Sequence, residues 1–119
     1  MTTQMEIIPE MDKVIRTFLP TMLHAAGRTE CAQELRDLDP ILNLESVLRA
    51  ATRLNELAAF VQREQDDVDA KWQPLIEDSI FWCEAAMWAA VSKDMHSFKD
   101  HIQRVLHTLR EGLNIIEYN

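Results

Sequence analysis

The sequence predicts an all-α protein: an up-and-down antiparallel bundle of four long helices and one short helix, with no sheet. Glycine and proline are scarce, since 119 residues include two glycines and four prolines. Apolar residues recur at spacings of three and four instead of alternating, which is typical of amphipathic helices and not of strands. The length fits a single domain over residues 1–119 that buries a core without disulfides.

The first helix is expected from about Pro9 to Ala26. Proline suits a first helical turn, and Gly27 suits the C′ position just beyond the end. The apolar stripe of this helix consists of Ile8, Met11, Ile15, Phe18 and Met22. Pro20 falls inside this pattern and removes one backbone hydrogen bond, so we expect a kink near Arg16–Leu19.

A short second helix is expected to follow, with Thr29 as its N-cap. Its apolar residues are Cys31, Ala32, Leu35 and Leu38. The dipeptide Asp39-Pro40 is expected to end it, because the residue before a proline avoids the α region.

The third helix is expected from Pro40 or Leu44 to about Ala70. Two interleaved series repeat along it every seven residues, as in an a/d packing seam. One series is Leu44, Ala51, Ala58 and Gln65, and the other is Val47, Leu54, Val61 and Val68. The alanines of this seam would let another helix approach closely.

The fourth helix is expected from about Trp72 to Ser92. Eleven of the twelve residues from Ile80 to Val91 are apolar, and Glu84 carries the only charge. This stretch is too short to cross a bilayer, and a helix that is apolar all round is buried on most sides. A face rich in small residues is expected to pack against the alanine seam: Trp72, Leu75, Ser79, Cys83, Ala86 and Ala90.

The fifth helix is expected from about Ser97 to Ile116, with Ser97 as its N-cap and Asp100 in the first turn. Its apolar stripe is Phe98, Ile102, Val105, Leu109, Leu113 and Ile116. Short connections between the long helices favour antiparallel neighbours, and they give the bundle its up-and-down order.

The charge of the chain is acidic and evenly spread, with 20 acidic and 12 basic residues and a net charge of −8. No cluster of Lys and Arg is present, so we expect neither direct nucleic-acid binding nor membrane binding. Cys31 and Cys83 fall in helical apolar patterns and are expected to be buried free thiols. With an N-terminus that lacks signal-peptide features, they predict a cytoplasmic protein.

Sequence patterns that carry chemistry are absent. The chain contains no HExxH, no Glu-x-x-His, no glycine-rich phosphate loop and no zinc-type cysteine spacing. His101 and His107 are six residues apart, which places their rings on different faces of a helix. We therefore predict no catalytic, cofactor-binding or metal-binding residue, and a protein that is not an enzyme.

The candidate partner-binding residues are Glu77, Phe81, Glu84 and Trp88. They lie on the side of the fourth helix away from its small-residue face, with the aromatic residues within about 40° of Glu77 on a helical wheel. Aromatic side chains flanked by charge are typical of an interface centre with a polar rim. The carboxylates suit a basic group on a protein partner. Two alternatives remain open: coverage by the first or fifth helix, and a homodimer interface.

The leading interpretation is a non-enzymatic protein-binding module that acts through a helical surface, such as a small acidic inhibitor, an immunity protein, an adaptor or a chaperone-like protein. One alternative is an acidic nucleic-acid mimic of the anti-restriction or anti-CRISPR type, although the acids here are mixed with bases. Another is a ligand-binding or enzymatic bundle with its pocket near Trp82, Cys83 and His24.

Overall fold

A computed structural model of the chain describes residues 9–64 and 70–118. Within these residues the chain forms five helices and no strand, which confirms the predicted all-α bundle of four long helices and one short helix. The helices are α1 (residues 9–25), α2 (Thr29–Arg36), α3 (Leu44–Arg63), α4 (Gln73–Val91) and α5 (Met95–Tyr118). Helix α4 packs most extensively against α5, and then against α3.

Helix α1 accommodates Pro20 through a wider turn. The stretch Val14–Phe18 is π-helical, and the N–H of Leu19 donates to the carbonyl of Val14, five residues back. Pro20 then stands in the first turn of the α-helical half, Leu19–Ala25, where its missing N–H costs little. The irregularity lies immediately before the proline, where the sequence predicts a kink, and π-turns are a known cause of kinks.

Helix α1 ends in a Schellman motif, with Gly27 at the C′ position that the sequence predicts. Gly27 has a φ of +88°, in the left-handed region that glycine enters without strain. The N–H of Gly27 donates to the carbonyl of His24 at 3.1 Å, and the N–H of Arg28 donates to the carbonyl of Leu23 at 2.8 Å. These two bonds satisfy the last carbonyls of the helix.

Helix α4 ends in the same motif, but with a lysine in the left-handed position. Lys93 has a φ of 61°. The N–H of Lys93 donates to the carbonyl of Ala90 at 3.1 Å, and the N–H of Asp94 donates to the carbonyl of Ala89 at 2.9 Å. Lys93 is strained there, because in this conformation its Cβ approaches the following carbonyl oxygen.

We therefore expect Lys93→Gly to raise the free energy of unfolding by about 1 kcal/mol, since glycine relieves the strain at this turn. Gly27→Ala is the matched opposite change, and we expect it to lower the free energy of unfolding by about 1 kcal/mol. In the described part of the chain, no neighbouring atom lies within 4 Å of a Cβ added at Gly27, so that loss includes no steric clash. Denaturant titration of both variants measures the two effects, and destabilisation by Lys93→Gly would contradict the assigned strain.

The predicted start of α2 is wrong by one residue. Thr29 is the first helical residue, and Arg28 occupies the N-cap position. The reason is that Arg28 closes the Schellman motif of α1, so the next helix begins directly after it. Helix α2 also ends earlier than expected, at Arg36, before the Asp39-Pro40 dipeptide.

Helix α3 begins at Leu44, the second of the two predicted starts. A reciprocal pair of hydrogen bonds forms a capping box: the N–H of Ser46 donates to Asn43 Oδ1 at 3.0 Å, and the N–H of Asn43 donates to Ser46 Oγ at 3.0 Å. The helix ends at Arg63, short of the predicted Ala70. The seam residues Gln65 and Val68 lie outside the described residues.

The N-cap of α5 is Asp94, so the assignment of Ser97 to this position is wrong. Asp94 Oδ1 accepts from the N–H of Ser97 at 3.1 Å, and its Oδ2 accepts from the Ser97 hydroxyl at 2.7 Å. Ser97 therefore stands at the third position of a helix that begins at Met95. These hydrogen bonds hold the pKa of Asp94 below its ordinary value.

The small-residue face of α4 is buried, and two of its residues lie beside α1 and α5. Ser79 Oγ lies 3.9 Å from the sulfur of Met22 on α1. Trp72 and Met22 both border Gly112 of α5, where a Cβ would lie 3.4 Å and 3.2 Å from them. Two seam residues of α3, Ala58 and Val61, line a groove together with Ile80 of α4. Packing of the rest of this face on the alanine seam stays a prediction.

Candidate protein-binding face on helix α4

One side of α4 presents two large aromatic side chains to solvent. Phe81 is 61% exposed and Trp88 is 55% exposed, whereas the residues before them, Ile80 and Met87, are buried. No helix in the described part of the chain covers the two rings. They are two helical turns apart, which places them about 10 Å from each other along the same side of α4.

All four predicted partner-binding residues lie along this side of α4. Successive residues of the series Glu77, Phe81, Glu84 and Trp88 are four, three and four positions apart, and these spacings return to the same side of a helix. We call these four residues the α4 stripe. Glu77 is exposed and Glu84 is half-buried.

A groove of about 320 Å³ runs beside the stripe, between α3 and α4. Its walls are Ala58, Val61 and Gln62 on α3 and Glu77, Asp78, Ile80, Phe81 and Glu84 on α4. The contribution of α3 and of Asp78 is absent from the sequence prediction. The signal that points to it is Ala58, because a small side chain at a seam position leaves space beside the facing helix.

The charged side chains on α4 are all negative. Helix α4 contains the acids Glu77, Asp78 and Glu84 and no Lys, Arg or His. Burial beside the apolar side chains raises the pKa of the Glu84 carboxyl above its ordinary value. Among the described residues, the ion pairs involve other carboxylates, so the charge of Glu84 is partly desolvated without a cation beside it.

A second aromatic group adjoins the stripe on the side facing α5. The rings of Phe81 and Trp82 meet edge to face, with their centroids 5.0 Å apart. The guanidinium carbon of Arg104 lies 4.6 Å from the centre of the Trp82 ring, and Arg104 Nε donates to Asp100 Oδ2 at 3.0 Å. That hydrogen bond holds the pKa of Asp100 below its ordinary value.

The two cysteines are buried free thiols, as the sequence predicts. Burial, together with the nearby Glu84, raises the pKa of Cys83 to about 12, so this thiol stays neutral and is a poor nucleophile. The pKa of Cys31 is raised as well, first by burial and then by Glu34. Cys83 is fully buried whereas His24 is exposed, so these two residues do not line one open pocket.

Within the described residues, no helix is both long enough and apolar enough to cross a membrane. The same residues hold no group of three or more His, Cys, Asp or Glu side chains arranged to bind a metal ion. No protein-family model matches the chain, and neither does any curated protein or solved structure.

Proposed function

We propose that this protein is a non-enzymatic protein-binding module that acts through the α4 stripe. The observation that carries the proposal is the exposure of Phe81 and Trp88 on one side of a helix in which ten of the 19 residues are buried. Aromatic anchors rimmed by charged side chains are typical of the centres of protein interfaces. A partner that covers the two rings would gain about 25 cal/mol for each Å² of apolar surface removed from water.

The biological roles that fit this proposal are those of a small inhibitor, an immunity protein, an adaptor or a chaperone-like protein. Each of them requires a binding surface and no catalytic group. We place the protein in the cytoplasm, because two buried free thiols suit a reducing compartment. Self-association through the same stripe is the competing use of this surface.

The test is capture of partner proteins from the native host with the full chain as bait. We expect the double variant Phe81→Ser/Trp88→Ser to lose the partner that the wild-type chain retains, while its unfolding midpoint stays close to that of the wild type. Leu42→Ser is the matched control, because Leu42 is also an exposed apolar residue, 72% exposed, and lies outside the stripe. Retention of the same partner by the double variant would contradict the proposal.

Light scattering across a dilution series tests the competing use of the stripe. A monomer at all concentrations agrees with a stripe reserved for another protein. A wild-type dimer that the double variant Phe81→Ser/Trp88→Ser converts to a monomer would reassign the stripe to self-assembly.

A further inference from the structure

The charge of α4 gives the first indication of the chemistry of the proposed partner. Glu77, Asp78 and Glu84 all border the groove beside the stripe. In the described part of the chain none of the three forms an ion pair, whereas other carboxylates do, as Asp12 does with Arg16 at 3.0 Å. The exposed rings of Phe81 and Trp88 therefore lie beside carboxylates that no described basic side chain neutralises.

A second copy of α4 is a poor occupant of this surface. In heptad terms Phe81 and Trp88 occupy a positions, and Glu77 and Glu84 occupy d positions. Parallel pairing would bring carboxylate against carboxylate, and antiparallel pairing would bring carboxylate against aromatic ring. In both cases the carboxylates lose water and meet no cation, because Gln73–Val91 contains no basic residue.

The surface next to the stripe shows how a cation fits such surroundings. Arg104 lies over the ring of Trp82, 4.6 Å from its centre, and hydrogen-bonds the carboxylate of Asp100 at 3.0 Å. An aromatic ring and a carboxylate thus hold one guanidinium between them. Glu84 and Trp88, one turn apart on the stripe, offer the same two chemical groups with no described cation. Arginine suits the carboxylate and the ring better than lysine does, because its planar guanidinium group stacks on aromatic rings and pairs with carboxylates.

Resting on the proposed function, we propose that the α4 stripe binds a partner helix that carries two arginines seven residues apart. Each guanidinium lies between a carboxylate and a ring, one at Glu77 and Phe81 and the other at Glu84 and Trp88. Two arginines seven residues apart rise about 10 Å along a helix, and so do Glu77 and Glu84. The apolar residues between the arginines pack in the groove against Ala58 of α3.

Three synthetic helices of about 20 residues test this proposal. They share one face of leucine and alanine and differ at two positions seven residues apart, which hold arginine, glutamine or glutamate. We expect titration calorimetry with the full chain to show the arginine helix binding about ten-fold more tightly than the glutamine helix, and the glutamate helix more weakly still. Added salt should narrow these differences.

The protein variant that tests the contact is Glu77→Gln/Glu84→Gln. We expect it to bind the arginine helix about ten-fold more weakly than the wild type does and to bind the glutamine helix equally well. Glu45→Gln/Glu56→Gln is the control: it changes the net charge by the same amount but alters exposed carboxylates of α3 that do not border the groove. This control should bind the arginine helix as the wild type does.

The stability of Glu84→Gln separates a binding role from a structural one. The pKa of Glu84 is raised in the folded protein, so ionisation of this carboxyl opposes folding. The loss of stability is fully present above the folded-state pKa and vanishes as the pH falls below the ordinary pKa of a glutamate. We expect Glu84→Gln to keep or raise the melting temperature at neutral pH while it weakens binding of the arginine helix. A loss of both stability and binding would assign Glu84 to the fold and overturn the proposal.

The remaining outcomes separate this inference from the proposed function. Equal affinity for the three helices, abolished by Phe81→Ser/Trp88→Ser, would overturn the arginine inference and leave the stripe as a binding surface. Undiminished binding of the arginine helix to that double variant would reveal non-specific attraction to an acidic protein, which also overturns the inference. Failure of all three helices to bind would overturn it too, and partner capture from the native host would then judge the stripe separately.

Discussion

Phe98→Ala should lower the free energy of unfolding by about 3–5 kcal/mol. Phe98 is 1% exposed and is the largest fully buried side chain in the part of the protein that the structure describes. It lies near the start of α5, the helix against which α4 packs most extensively. Removal of the ring would leave a cavity that the surrounding helices fill only in part, and denaturant titration at an unchanged slope measures the loss.

Phe81→Ala is the matched control for this change, since it removes the same atoms from an exposed position. We expect a change within about 1 kcal/mol, because Phe81 is 61% exposed in the free protein and its removal opens no enclosed cavity. Similar losses at Phe98 and Phe81 would mean that the ring of Phe81 is packed in the core, and the α4 stripe would then lose one of its two anchors.

Met87→Ala should lower the free energy of unfolding by about 2–5 kcal/mol, whereas Trp88→Ala, at the next residue, should cost far less. Met87 is fully buried, and Trp88 is 55% exposed. The larger residue therefore contributes less to the fold, which is the reverse of what size alone predicts. Thermal or denaturant unfolding of the two variants, measured side by side, gives the comparison.

The opposite order, with Trp88→Ala the more damaging change, would show that another segment packs over the indole. The stripe would then belong to the core, and neither proposal made for it would stand. Variant Trp88→Phe adds a graded check, since it keeps an aromatic ring and should leave stability nearly unchanged if the indole contributes only to binding.

Helix ends can be predicted from the sequence where only one nearby residue suits the capping position. Gly27 is predicted correctly at a C′ position because no other residue nearby adopts a positive φ easily. Lys93 adopts the same conformation without such a signal, so the end of α4 is not marked by residue type. The start of α5 is misassigned because Asp94 and Ser97 are both good caps, and the Schellman motif that places Asp94 first becomes visible only in three dimensions.

The stripe itself follows from the helical period, which places Glu77, Phe81, Glu84 and Trp88 together once α4 is helical. Whether a neighbouring helix covers Phe81 and Trp88 depends on how the helices pack, and periodicity carries no information about that. The α3 wall of the groove depends on helix packing in the same way. Ala58 is the one sequence signal for it, because a small side chain on the seam leaves space beside the facing helix. The proximity of Ser79 to Met22 of α1 and of Trp72 to Gly112 of α5 is likewise not indicated by the alanine pattern.

The most direct test of the α4 stripe is an NMR titration of the isotope-labelled full chain with the arginine helix. We predict that the perturbed backbone amides cluster at Glu77–Trp88 of α4 and at Ala58–Gln62 of α3. The indole N–H of Trp88 should shift, and that of Trp72, which is buried, should not. Perturbations confined to α2 and the opposite side of α3, with the Trp88 indole unmoved, would contradict the assignment of α4 as the binding surface.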